Sequence, residues 1–135
     1  MRTMMQVLQP PGWARPKGFS NGIVVTGGRT VYIAGQVGYN GQGVFEVKDF
    51  AGQFRQTLAN ILAVLAEAGG RPEHLVRLTW YVIDKQEYLG AIREIGVAYR
   101  ELIGRRYPCM AVVQVGALVE DAARLEIEET AVIPD

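Results

Sequence analysis

The 135-residue sequence predicts a single α+β domain, a two-layer sandwich in which two helices cover one face of a mixed β-sheet. Two observations predict this class. First, runs rich in β-branched and aromatic residues alternate with segments of helical hydrophobic periodicity, in the order ββαβαββ. Second, the helix-length segments on either side of the middle strand allow parallel crossovers, whereas the two strands at each end are close enough to form hairpins.

The first predicted elements are an arm and a hairpin. Residues 1–21 are rich in proline and glycine, which predicts an irregular N-terminal arm on a domain that spans residues 1–135. The run GIVVTGGRTVYIAGQVG then predicts two strands joined at Gly27-Gly28. Adjacent glycines tolerate the positive φ angles of a tight turn, so we expect these two strands to pair with each other.

The first helix is predicted to begin after Asp49 and to end at Gly69-Gly70. Apolar residues recur every three or four positions and predict its buried face: Phe50, Phe54, Leu58, Ile61, Leu62 and Leu65. Polar residues are predicted to form the wetter side: Gln53, Arg55, Gln56 and Glu67.

The middle strand, HLVRLTWYVID, has apolar side chains on both faces, and a second amphipathic helix follows from Tyr88 to Ile103, ending at Gly104. The runs MAVVQVGAL and RLEIEETAVI predict the last two strands. On the last strand, Glu126 and Glu128 are predicted to share one face, because side chains alternate along a strand. A two-layer domain leaves one sheet face uncovered, so the apolar residues on both sides of the middle strand predict self-association.

The composition excludes several classes of function. Fourteen basic residues balance fourteen acidic ones, so the net charge of zero argues against a non-specific nucleic-acid binder. A single cysteine rules out an internal disulfide and favours a reducing compartment. The sequence shows neither a signal peptide nor an apolar run long enough to span a membrane, and we expect a cytoplasmic protein with no membrane partner.

Residue-level signals for catalysis are weak when taken alone. No metal or cofactor motif occurs, and His74 has no neighbouring cysteine or second histidine, so we expect a surface or capping histidine. Cys109 is the only cysteine, and a cysteine nucleophile needs an adjacent base or a positive field. Nothing in the sequence places His74 or Lys85 beside Cys109, so we expect a structural thiol.

Three segments together resemble the reactive-intermediate deaminase family (Rid, or YjgF/YER057c-like). They are VYIAGQVG, QFRQTLANILAVLAEAGG leading to HLVRLTWYVID, and YPCMAVVQVGALVEDAARLEIEETAV, and the resemblance runs from Gly18 to Pro134. It implies a fold similar to that of the chorismate mutase of bacilli, assembled as a homotrimer whose active sites lie in the clefts between subunits. The implied activity is hydrolysis of enamines and imines such as 2-aminoacrylate to a keto compound and ammonia, with no cofactor.

The same resemblance implies the site residues. Gly35, Gln36 and Glu126 are retained, and the resemblance implies that the glutamate works with a bound water, attacking the imine carbon or relaying its proton. In the deaminating branch an arginine that binds the substrate carboxylate follows a small residue after the proline. Here Cys109 occupies the small-residue position and Met110 that of the arginine.

Two further positions differ from the family pattern, since Phe19 replaces a tyrosine and Ala34 a serine. A hydrogen bond to a charged group contributes about 1.5–3 kcal/mol, and Met110 cannot supply one. All three substitutions make the predicted pocket more apolar, so we expect a neutral or apolar imine or enamine rather than 2-aminoacrylate as the small-molecule ligand. Two alternatives remain open at this stage: a trimer that binds a metabolite without turnover, and, less favoured, a ribonuclease or translation inhibitor.

Overall fold

The computed structural model describes residues 3–135, which form six strands and three α-helices. The strands are β1 (Met4–Leu8), β2 (Gly22–Thr26), β3 (Arg29–Gln36), β4 (Leu75–Val82), β5 (Cys109–Gln114) and β6 (Leu125–Ile133). The helices are α1 (Phe50–Glu67), α2 (Lys85–Gly90) and α3 (Ile92–Leu102), and a 3₁₀ turn spans Pro72–His74.

The main sheet has the strand order β3-β6-β4-β5, in which β6 is antiparallel to both neighbours and β4 is parallel to β5. The prediction of a mixed sheet with a parallel crossover is confirmed, because the α2–α3 segment connects β4 to β5. Both predicted hairpins are wrong. β6 inserts between β3 and β4 instead of pairing with β5, and β2 pairs with β1 instead of β3.

The N-terminal arm is only partly irregular. Met4–Leu8 forms β1, which pairs antiparallel with β2 in a separate two-stranded sheet, so the prediction of an irregular 1–21 segment is wrong for these residues. The turn between β2 and β3 does have the predicted glycine geometry, since Gly27 and Gly28 have φ angles of 78° and 85°. The error arose because a turn sequence specifies a change of direction and not the strand that pairs across it.

Helix α1 covers the sheet with the predicted apolar face. Its buried residues include Phe54, Leu58, Ile61 and Leu65, all 0% exposed, and Asp49 caps its N-terminus by accepting a hydrogen bond from the Gly52 N–H. At the other end the Gly70 N–H donates to the Leu65 carbonyl, and Gly69 has a positive φ of 79°, which confirms the predicted stop.

Gln53 departs from its predicted position on the wet side of α1, because it is 1% exposed. Its Nε2 donates to the carbonyls of Val47 (3.2 Å) and Ala122 (2.9 Å), and its Oε1 accepts from the Arg124 N–H (2.7 Å). A buried amide is tolerated when its hydrogen bonds are made. Gln53 therefore ties α1 to the loop that precedes β6.

The predicted second helix is divided into α2 and α3 by a break at Ala91, whose φ and ψ are −107° and 9°. Helix α3 packs against α1 on the covered face of the sheet. No helix within residues 3–135 combines the length and apolar character needed to cross a lipid bilayer.

Candidate functional site

The structure divides the residues predicted for the site between two places on opposite faces of the sheet. Met110 pairs in register with the fully buried Leu78 and therefore shares the face that the helices cover. Glu126 pairs with Tyr81, which alternates with Trp80 and so lies on the opposite face. This second face, called the open face below, also carries Tyr32, whose side chain is 81% exposed.

Glu126 lies beside an irregularity in β3. Ile33 pairs with Glu129 and Gln36 with Ile127, so β3 holds one extra residue at Ala34-Gly35, which is a β-bulge. Bulges interrupt a ladder locally and often occur next to functional sites. Ala34 and Gly35 are exposed here, and the Gln36 amide donates to the Ala34 carbonyl (3.2 Å).

Gly35 makes room for the Glu126 carboxyl group. A Cβ atom placed on Gly35 would lie only 2.8 Å from Cδ of Glu126. The space beside Gly35 is therefore filled by the glutamate of the same chain, which is held against the bulge while remaining partly exposed. A carboxylate in such a position is able to bind and orient a water molecule.

A second carboxylate and a phenol lie next to Glu126. Glu128 shares the open face, as predicted, and its Oε1 accepts a hydrogen bond from the Tyr81 hydroxyl (2.7 Å). This hydrogen bond, with the nearby negative charge of both glutamates, raises the pKa of Tyr81. Glu128 is therefore engaged in a hydrogen bond with Tyr81, whereas Glu126 is the carboxylate that faces the bulge.

Phe19 and Met110 line a cavity of about 500 Å³ on the covered side of the sheet, between α3, β5 and the N-terminal arm. The arm reaches this position because the Ser20 N–H donates to the Pro108 carbonyl (3.0 Å) and Ser20 bridges to Cys109 at the start of β5. These bonds place Phe19 at the cavity although it belongs to a segment without regular structure.

Aromatic side chains form most of the cavity wall. Tyr99 and Tyr107 stack with ring centroids 5.1 Å apart, and Trp80 meets Tyr88 edge-on at 5.6 Å. The Tyr99 hydroxyl donates to the Arg106 carbonyl (2.7 Å), and burial raises the pKa of Tyr99. Tyr99 is therefore a fixed, neutral wall residue, and the cavity suits a flat or bulky apolar group.

Two cations in the cavity wall were not predicted from the sequence. Lys17 from the arm and Arg100 from α3 both line the cavity, and no carboxylate side chain of residues 3–135 does so. The available signal was the placement of Arg100 directly after Tyr99, on the helix that the sequence does predict. From the sequence alone, however, the polar side of that helix is predicted to be an ordinary solvent-exposed surface.

His74 and Cys109 follow the readings that were favoured for them. His74 is a capping residue, because its Nδ1 accepts a hydrogen bond from the Arg71 N–H (2.9 Å). Cys109 is half-buried and pairs in register with Arg77 on the open face, away from Met110, so it does not line the aromatic cavity. Within residues 3–135 no three His, Cys, Asp or Glu side chains converge in a group able to hold a metal ion.

The match to known proteins decides the family. A family model described as endoribonuclease L-PSP matches residues 14–133. The chain belongs to this family, which is also called YjgF or Rid. It is 31% identical over 108 residues to a RutC family protein of Pyrococcus horikoshii, covering 79% of this chain and 82% of that protein.

Solved structures of Rid proteins share the fold. A Rid family protein of unknown function from Yersinia pestis, YyfB, superposes with a TM-score of 0.84 at 31% identity, covering 96% of this chain and 98% of that one. RidA from an Antarctic Psychrobacter species superposes with a TM-score of 0.67 at 29% identity, covering 95% and 99%. These Rid structures confirm the predicted α+β sandwich.

Proposed function

We propose that this Rid-family protein is a homotrimeric hydrolase that converts an imine or enamine other than 2-aminoacrylate to a carbonyl compound and ammonia. The observation that supports it best is the Glu126 carboxyl group, held against the bulge at Gly35 on an accessible part of the sheet. A water molecule bound by this carboxylate would be the nucleophile.

The proposed reaction needs only water and one acid/base group. Water adds to the imine carbon while Glu126 accepts a proton from it and passes this proton to the imine nitrogen, which gives a neutral carbinolamine. Glu126 then accepts the hydroxyl proton of the carbinolamine and delivers it to the amine nitrogen, the C–N bond breaks, and ammonia leaves as the carbonyl forms. An enamine first takes a proton on carbon to become the imine. General acid–base catalysis of this kind contributes about 10²- to 10⁴-fold.

The trimer is part of the proposal because the two halves of the predicted site are separated within one chain. Glu126 and Gly35 lie at the open face, whereas Phe19 and Met110 lie at the cavity on the covered side. In an inter-subunit cleft, the Glu126 of one subunit would meet the cavity of the next. The exposed Tyr32 on the open face supports burial of that face in the assembly.

The test is the hydrolysis of imines generated in the reaction vessel by oxidases from amino acids and simple amines, followed by semicarbazide trapping. We expect faster loss of trappable imine with the protein, and a decrease of about 100-fold or more for Glu126→Gln. Glu128→Gln is the matched control, because it removes a neighbouring carboxylate that Tyr81 already occupies. Equal rates with and without protein across the panel would refute the catalytic function, and light scattering would test the trimer.

The alternative is a trimer that binds a metabolite without turnover. The cavity lined by aromatic side chains favours this alternative, because a ligand could bind there without Glu126, which does not line the cavity. In that case Glu126→Gln leaves ligand affinity unchanged and no imine is consumed.

The family description also names an endoribonuclease activity, which is the third and least supported function. The zero net charge of the chain argues against a phosphate-binding surface. Support for the ribonuclease function would require a nuclease activity per milligram of protein that stays constant when the protein is purified again.

A further inference from the structure

Positively charged side chains line the aromatic cavity, and no carboxylate side chain among residues 3–135 lines it with them. Arg100 and Lys17 are its only charged wall residues among positions 3–135, and both are exposed to solvent. The ion pairs described for this chain use other arginines, namely Arg55, Arg71 and Arg124. Arg100 therefore has no ion-pair partner among residues 3–135, which leaves its guanidinium available to a ligand.

Gly96 leaves room for the Arg100 guanidinium. The two residues are one helical turn apart, and a Cβ atom on Gly96 would be 3.1 Å from Nη1 and 3.6 Å from Nη2 of Arg100. The guanidinium thus folds back along α3 over Gly96, which is itself a wall residue of the cavity. A Cβ atom at position 96 would crowd the guanidinium, which would have to shift by a few tenths of an ångström.

We propose that the cavity binds an aromatic or bulky apolar carboxylate, with Arg100 pairing the carboxylate and the tyrosine and tryptophan rings enclosing the apolar body. A guanidinium matches a carboxylate in geometry and charge, and the pair forms strong charge-assisted hydrogen bonds. Lys17 adds a second positive charge from the arm. The ligand is therefore apolar in its body, as the sequence predicts, but anionic rather than neutral.

This inference rests on the proposed function for its substrate class: an imine that carries both an aromatic group and a carboxylate. When the carboxylate is bonded to the imine carbon, hydrolysis gives an aromatic 2-oxo acid and ammonia, with water as the only other reactant. Met110, on β5, contributes an apolar contact to the cavity. The deaminating branch of the family has a positively charged arginine at this position. The carboxylate is accordingly held from the α3 side of the cavity rather than from the β5 side.

Binding of three unreactive probes tests the inference by calorimetry: 3-phenylpropanoate, its neutral amide 3-phenylpropanamide, and propanoate, which lacks the ring. For the native protein we expect 3-phenylpropanoate to bind about tenfold or more tightly than either of the others. Arg100→Gln should bring the carboxylate and its amide to similar affinities. Arg93→Gln is the matched control, because Arg93 is an exposed arginine of the same helix that does not line the cavity.

Equal affinity for the carboxylate and the amide in the native protein would overturn the inference, as would equal losses in the Arg100 and Arg93 variants. Failure of all three probes to bind would overturn it as well. These outcomes are separate from those of the imine assay. Selective binding of the carboxylate without imine turnover leaves the inference intact and refutes the hydrolase. Imine turnover without a preference for the carboxylate probe supports the hydrolase and overturns the inference.

Discussion

Glu129 is a buried carboxyl group that the sequence gives no reason to expect, and its titration should dominate one part of the pH dependence of stability. It faces the covered side of the sheet, where it pairs in register with Leu78 and Ile33 and is 3% exposed. Neither carboxyl oxygen has a hydrogen-bond partner. Burial raises the pKa of Glu129 to about 9, from an ordinary value of 4.5.

The sign of the effect follows from this shift. In the folded chain Glu129 stays protonated at neutral pH, whereas in the unfolded chain it ionises above pH 4.5. Its contribution to the free energy of unfolding is therefore greatest below pH 4.5 and falls by about 1.4 kcal/mol per pH unit until about pH 9. At pH 7 the protein has lost about 3 kcal/mol relative to acidic solution through this group alone.

Glu129→Gln removes the titration and keeps the shape of the side chain. The free energy of unfolding of the variant, minus that of the native protein, should rise by about 4 kcal/mol between pH 5 and pH 8. Urea unfolding followed by tryptophan fluorescence at one protein concentration measures this difference. Glu128→Gln, at the exposed neighbouring position, should show no such rise. A difference for Glu129→Gln that stays constant over this pH range would refute the reasoning.

Three further substitutions test other contacts. Gln53→Leu leaves the hydrogen-bonding groups that Gln53 satisfies, including the Arg124 N–H, without partners, and should lower the free energy of unfolding by about 2–4 kcal/mol in urea titrations. Gly35→Ala forces the Glu126 carboxyl to move, so kcat/KM for imine hydrolysis should fall about 10- to 100-fold while Tm changes little, because the end of a partly exposed side chain can shift. Met110→Arg supplies a guanidinium at the cavity and should increase the hydrolysis of 2-aminoacrylate; an unchanged rate would show that the resemblance at this position does not carry the specificity.

Much of the local structure could be predicted from the sequence because it depends on short-range periodicity. The apolar positions of α1 recur at helical spacing, and Asp49 and Gly69 carry the chemistry that begins and ends a helix. The alternation along β6 likewise predicts that Glu126 and Glu128 share a face, which the strand register confirms.

Strand pairing was the part of the fold that local pattern failed to predict. Strands β5 and β6 are neighbours in the chain, and both have alternating apolar residues. This pattern would be buried equally well if the two strands formed a hairpin or if β6 paired with other strands. β6 instead lies between β3 and β4, where both of its edges are hydrogen-bonded and its apolar face meets α1. That preference is decided by the burial summed over the whole sheet, which no short segment encodes.

The sequence by itself determined the family, the α+β class and the residues that depart from the family pattern, because motif order and periodicity are properties of the chain alone. Only the tertiary structure showed that Arg100 and Lys17 converge on one aromatic cavity, that Gln53 and Glu129 are buried, and that Met110 and Glu126 lie on opposite faces. Charge and burial at a given point depend on elements distant in sequence, and packing alone brings those elements together.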